Sequence, residues 1–275
     1  MENFLKKITK DVDLSFAILL SFCVYVFFAI NIEVFFSHNI SFAILERFAV
    51  LGLVGLALTI CIIAGEIDLS IGSNAALCAV IVVKLTDPLG APLAMIIGLS
   101  VSTLIGATQG FVIAFIRIRA IVITVGTLML LRGVALLIAE EKTVMLTDFR
   151  VPDFITTKVL MYFSPASLTV IFIFICVGIF MRYTKYGREI YAIGGARKEA
   201  LTAGIPLRRP MIIAFALSGF CAGFAGTVIG LKSGTAQGRT AIPSFSRNCC
   251  SFCWRCEHTR RKGWCFRSSY RSFNS

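Results

Sequence analysis

The chain has 275 residues, of which 57% are hydrophobic and only 15% charged, with a mean hydropathy of +0.85 and a net charge of +12. A soluble domain carries about 25% charged residues, so these side chains cannot cover a water-facing surface, and a soluble globular fold is excluded. The positive balance does not mark a nucleic-acid binder: from Arg247 onward seven bases face one acid, which is half of the +12, and most other bases sit in short loops between apolar runs.

The apolar runs are continuous rather than alternating, which selects helices over a β-barrel. In chain order they are Leu14–Ile32, Phe48–Ala64, Ile71–Val83, Pro92–Ile116, Ala120–Ile138, Leu168–Met181 and Ile212–Leu231. Since a span needs about 20 apolar residues, the expected fold is all-α, a polytopic transmembrane bundle of about seven spans. The first run has no small-residue cleavage site after it and reads as a span, not a removed leader. The third and sixth runs are short, and the third is a candidate to pair with the second as a broken or re-entrant element. Lys6, Lys7 and Lys10 place the N-terminus in the cytoplasm. Arg117 and Arg119 follow the fourth span, and Arg182, Lys185, Arg188, Arg197, Lys198, Arg208 and Arg209 follow the sixth, so both clusters fall on the cytoplasmic side. Ser102, Gly106 and Gly110 recur every four residues, as do Gly219 with Gly223 and Gly226 with Gly230. Small residues at that spacing let helices approach closely.

Three stretches carry functional information. In Gly65–Ser73 the carboxylates Glu66 and Asp68 stand between apolar runs, with Ser70 close by. Charge at membrane depth is expensive and faces a cavity, a partner or water; the other reading is a plain turn at the cytoplasmic surface, with Asp68 or Ser70 capping the next helix. In Ala120–Gly133, Thr124 and Thr127 lie one turn apart. Their hydroxyls either bond back to their own helix or line a polar path. In the basic loop 182–210, Ala196–Ala203 reads as a short helix closed by Gly204. It is too charged to span, and a docking surface for a cytoplasmic partner explains a capped helix there.

At these three places (Gly65–Ser73, Ile123–Gly133, and Tyr186–Ile205 with its Gly-Gly-Ala-Arg-Lys-Glu-Ala run) the chain resembles the permease subunits of bacterial ABC importers for ribose, xylose and related sugars. The likeness covers roughly residues 10–238, read as one transmembrane permease domain. One departure is Glu66, where the family more usually has glycine. The resemblance implies a bacterial inner-membrane protein working with a second permease copy or paralogue, two ATPase subunits and a periplasmic sugar-binding protein. It implies a coupling helix whose residues Gly195, Ala196, Arg197, Glu199, Ala200 and Gly204 meet the ATPase. Glu66, Asp68, Ser70, Thr124 and Thr127 are the candidate substrate-pathway residues. No phosphate-cradling motif is present, so the energy comes from the partner; no cofactor, metal or catalytic residue is expected.

Residues 239–275 read differently. From 244 on there is no Ile, Leu, Val, Met or Ala, while both tryptophans and five of the ten cysteines are found there. Cys249, Cys250, Cys253, Cys256 and His258 offer soft ligands for zinc or an iron–sulfur cluster. The preferred reading is a frameshift. Taking each codon's last two bases with the next codon's first, Asn248–Ser251 yields Ile-Ala-Ala-Val and Glu257–Lys262 yields Ser-Ile-Leu-Gly-Gly-Lys, both with permitted codons. That is glycine-rich membrane sequence, similar to what these permeases carry after their seventh or so span. The expected product is then an incomplete bundle with a disordered tail and little transport, and sequencing codons 239–248 decides it. The expected function is the membrane-embedded permease of an ATP-driven monosaccharide importer; the alternative is an ion-coupled secondary transporter using Glu66 and Asp68.

Overall fold

A computed structural model of the chain describes residues 16, 19–20, 22–31, 38–116, 118–147, 151–152, 164–195 and 197–236. The tail from 237 on lies outside them, so the frameshift and metal readings lie outside the described residues too. Ten residues of the first expected span, Phe22–Asn31, form an apolar helix, α1. It is followed by α2 (His38–Ile63), α3 (Ile71–Leu89), α4 (Ala91–Ile116), α5 (Ala120–Ile138), β1 (Val144–Met145), α6 (Pro165–Tyr183), α7 (Lys185–Gly195), α8 (Arg197–Thr202), α9 (Arg208–Ser233) and β2 (Thr235–Ala236). Six of these helices, α2 to α6 and α9, are long and apolar enough to cross a membrane.

Several spans run further than their apolar runs, and for α3, α2 and α6 the reason is visible. The apolar run of α3 stops at Lys84, yet the helix continues to Leu89. Lys84 Nζ donates to Ile138 O at 2.9 Å and pairs with Glu140 at 3.2 Å, while Asp87 accepts from the Thr147 hydroxyl at 2.7 Å. The charges that break the run are thus satisfied by the segment after α5. At 19 residues α3 is about 28 Å long and packs on α9, α4 and α5 as a separate span. It is not a re-entrant partner of α2. Helix α2 begins ten residues before Phe48 because Glu46, buried, is paired with Lys232 of α9. Helix α6 begins at Pro165 because Ser164 caps it: Ser167 N–H donates to Ser164 Oγ at 3.1 Å, and Ser164 N–H donates to Ser167 Oγ at 3.0 Å.

The central element is α9, two-thirds buried, with α4, α3 and α2 against it. The small-residue repeats make this possible. A Cβ built on Gly106 would lie 2.3 Å from Phe215 O, on Gly219 2.6 Å from Ser102 O, and on Gly226 2.1 Å from Ala75 O. The backbones therefore touch, and Ser102 Oγ donates across the contact to Gly219 O at 2.7 Å. A second core joins α2, α6, α7 and α9 through Leu53, Ile60, Ile173, Ile190 and Phe224. At one end of the bundle β1 pairs antiparallel with β2, Val144 opposite Ala236, which clasps the segment after α5 to the end of α9. The opposite end carries Glu66, Arg119, Arg182, Arg188, Arg197 and Arg208, so the basic clusters share one end with the Gly65–Ser73 loop.

Candidate functional site

The stretch from α6 to α9 is more ordered than a basic loop with one short helix. It holds two helices. Helix α7 is amphipathic, burying Gly187, Ile190 and Ile193 and exposing Tyr186 and Tyr191. Its docking is close: a Cβ on Gly194 would stand 1.6 Å from Ile63 O, and one on Gly187 2.2 Å from Met181 O. High charge hid α7 among the loop bases, although Gly187, Ile190 and Ile193 recur at helical spacing on its inner face. Helix α8 follows as expected and ends as expected. Gly204 adopts φ +80°, and Ile205 N–H returns to Ala200 O at 3.0 Å, the 6→1 bond of a Schellman ending.

Of the expected coupling residues, Ala200 is buried, while Gly195, Glu199 and Gly204 are exposed; Ala196 lies outside the described residues. Arg197, half-exposed, reaches inward, and its guanidinium donates to Glu66 Oε1 at 3.1 Å. The other Glu66 oxygen accepts from Ala120 N–H at 3.4 Å, at the first residue of α5. Glu66 therefore joins three elements: its own loop between α2 and α3, the start of α5, and α8.

Asp68 and Ser70 stand deeper, 3% and 1% exposed. Asp68 Oδ1 accepts from Ser70 N–H at 2.8 Å and from Ser70 Oγ at 2.7 Å, and Oδ2 accepts from Ser218 Oγ of α9 at 3.4 Å. Gln109 of α4 donates to Ser70 Oγ at 2.8 Å. Ser70 occupies the position before α3, but its hydroxyl makes no cap bond and is committed to Asp68 and Gln109. The Asp68 carboxylate instead turns the loop by binding the N–H two residues on. Burial pushes the Asp68 carboxyl above its usual range, and the bonds from Ser70 and Ser218 pull it part of the way back. One turn outward, Asn74 Nδ2 donates to Ser102 O at 3.2 Å, which continues a polar seam along the α3, α4 and α9 contact. Gln109 and Ser218 were not among the candidates; Gln109 is the one side-chain amide in the apolar run of α4, and that was the available signal, whereas Ser218 shares its run with Thr227 and nothing local set it apart.

Thr124 is buried and Thr127 half-buried. Thr124 Oγ1 donates to Ile121 O at 3.3 Å and Thr127 Oγ1 to Ile123 O at 2.9 Å, so both hydroxyls bond back into α5. The candidates thus separate into three groups: Glu66 with Arg197, Asp68 with Ser70, and the two threonines on α5. Among the described residues no cluster of His, Cys, Asp and Glu could hold a metal ion.

Residues 40–246 match the family model for the permease component of branched-chain amino acid transport systems. The D-allose transport system permease protein AlsC of Escherichia coli K12 is 30% identical over 223 residues, which is 80% of this chain and 68% of that protein. The L-arabinose transport system permease protein AraH of the same strain is 32% identical over 197 residues, 70% of this chain and 58% of that protein. The autoinducer 2 import system permease protein LsrC of Klebsiella pneumoniae is 32% identical over 244 residues, 86% of this chain and 68% of that protein. The chain thus spans about two-thirds or less of the length of these relatives, and no solved structure matches it. With its membrane-spanning bundle and a family match over most of its length, the chain belongs to the permease-component family of these transport systems, whose members are membrane transport subunits and not themselves enzymes.

Proposed function

We propose that this chain forms one membrane-embedded half of an ATP-driven importer for a monosaccharide, in the bacterial inner membrane with the N-terminus inside. The family and the relatives named for D-allose, L-arabinose and autoinducer 2 support the transporter class and a small polar solute. Ribose is not among those names, and we propose no particular sugar. The proposed partners are a cytoplasmic ATPase subunit, an external sugar-binding protein and a second permease copy or paralogue.

The observation that carries this reading is the bridge at Glu66. A capped helix with an exposed outer side, α8, is tied through Arg197 to a loop that continues into α3 and bonds the start of α5. A push on Gly195–Gly204 from an ATPase therefore has a direct path to two spans, and alternating access needs such a link between an energy source and helix packing. For the solute path we propose the inner end of α5 and the loop before α3, where Glu66, Thr124 and Thr127 stand with Asp68 and Ser70 behind them. Its support is the Glu66 to Ala120 bond, which sets that loop beside the first turns of α5.

The buried Asp68 favours one second reading, ion-coupled transport by this chain alone. Uptake of labelled monosaccharides in a strain lacking its own permease separates the two, tested with and without a cytoplasmic ATPase subunit of this transporter class, and with the reading frame restored at codons 239–248 because the chain as it stands is expected to transport little. Uptake only with the ATPase, and co-purification with it, is the expected result; uptake without any ATPase sinks the proposal.

A further inference from the structure

On the flank of the bundle, where α2, α6 and α7 meet, lies a groove of about 610 Å³. Its walls are apolar, from Leu56, Ile60 and Ile63 of α2 and Val177 of α6. It stays open because Gly178 lines it without a side chain; a Cβ built there meets nothing within 4 Å. Thr59 lines it too, but its hydroxyl is committed to Gly55 O at 2.7 Å. At the end of the groove stand Arg182, in the last turn of α6, and Arg188 and Tyr191 of α7. Arg182 lies 5.7 Å from the Tyr183 ring, and among the described residues neither arginine is paired with a carboxylate.

We propose that this groove holds an anionic phospholipid, with an acyl chain between α2 and α6 and its phosphate against Arg182 and Arg188. The groove runs along the ends of two membrane-spanning helices, and its cationic lip begins where α6 stops. That is the amphipathic layout of a lipid: an apolar slot at hydrocarbon depth and positive charge at headgroup depth. A zwitterionic lipid brings its own cation to the same lip and gains less. A second copy of the chain docked here about a two-fold axis brings like-charged lips together. A soluble anion has no use for the apolar slot.

The test uses the full chain purified in detergent and dioleoylphosphatidylglycerol against dioleoylphosphatidylcholine, read by lipid retention in native mass spectrometry. The expected result is preferential retention of phosphatidylglycerol, weakened about fivefold by Arg182→Gln or Arg188→Gln and about 30-fold by both. Gly178→Leu fills the slot without touching the charge and is expected to weaken retention as well. Inorganic phosphate at the same concentration is expected not to displace the lipid. Equal retention of the two lipids, an unchanged double glutamine variant, full retention by Gly178→Leu or displacement by phosphate each overturns the proposal. So does a disulfide-linked dimer formed in membranes by Gly178→Cys. None of these readouts involves transport, so they stand apart from the proposed importer function.

Discussion

Glu66 and Asp68 are two residues apart and do different work. Glu66 is a bridge at the rim. Its pair with Arg197 has one half-exposed partner, so its worth to stability is small, about 0–1 kcal/mol. Its worth to coupling is the larger expectation: in the frame-restored protein Glu66→Gln and Arg197→Gln should each lower ATP-driven uptake several-fold with little change in melting temperature, and the double variant should lose no more than either alone. Asp68 is a buried acceptor. Asp68→Ala leaves the Ser70 N–H and hydroxyl buried without an acceptor and should cost about 1–3 kcal/mol in thermal unfolding. Asp68→Asn keeps one oxygen for Ser70, and the Ser218 hydroxyl can turn to accept from the new amide, so it should fold almost as well. Because burial raises the folded-state value above 3.8, Asp68 favours the fold at low pH, and that contribution is lost as pH rises through the raised value. Asp68→Asn should lack that slope. Loss of uptake in a well-folded Asp68→Asn protein would instead point to ion coupling.

At the scale of the helix, the α9 contacts rest on absent side chains. Gly106→Ala and Gly226→Ala place a methyl within 2.3 Å and 2.1 Å of a backbone oxygen that belongs to another helix, and each should destabilise the bundle by about 1–3 kcal/mol. Gly126→Ala on α5 meets nothing within 4 Å and should be neutral or slightly stabilising. Equal effects at all three positions would show that the close contacts do not matter. The repeats were legible because spacing by four on a helix is a property of the chain alone. Helix α7 and the outward extension of α2 and α3 were not. Lys84, Asp87 and Glu46 look like the ends of apolar runs, and only their partners Glu140, Thr147 and Lys232, distant in sequence, let the helices continue past them.

At the scale of the whole molecule, the bundle has two dissimilar ends. One is closed by the β1–β2 clasp and the Lys84–Glu140 pair; the other gathers Glu66, Arg197 and the arginines around α7. On the proposed orientation, which puts the basic end inside the cell, a cysteine placed at Arg197 should be modified by a membrane-impermeant reagent only in inverted vesicles, and one at Lys142 only in intact spheroplasts. Labelling of both from the same side would mean that the helices do not alternate as described.

Composition alone settled that the chain lives in lipid, because too few charged groups exist to face water and helices are the way for continuous apolar runs to satisfy their backbones there. Local spacing settled which helix faces are small enough to touch, and the glycine at 204 settled where α8 stops. What the tertiary structure decided is which polar groups meet. Glu66 with Arg197, Asp68 with Ser218 and Glu46 with Lys232 are separated by more than a hundred residues, and no local pattern encodes those partners. A buried charge is tolerable only where a partner stands, so the roles of the carboxylates were fixed by folding and not by the runs that surround them.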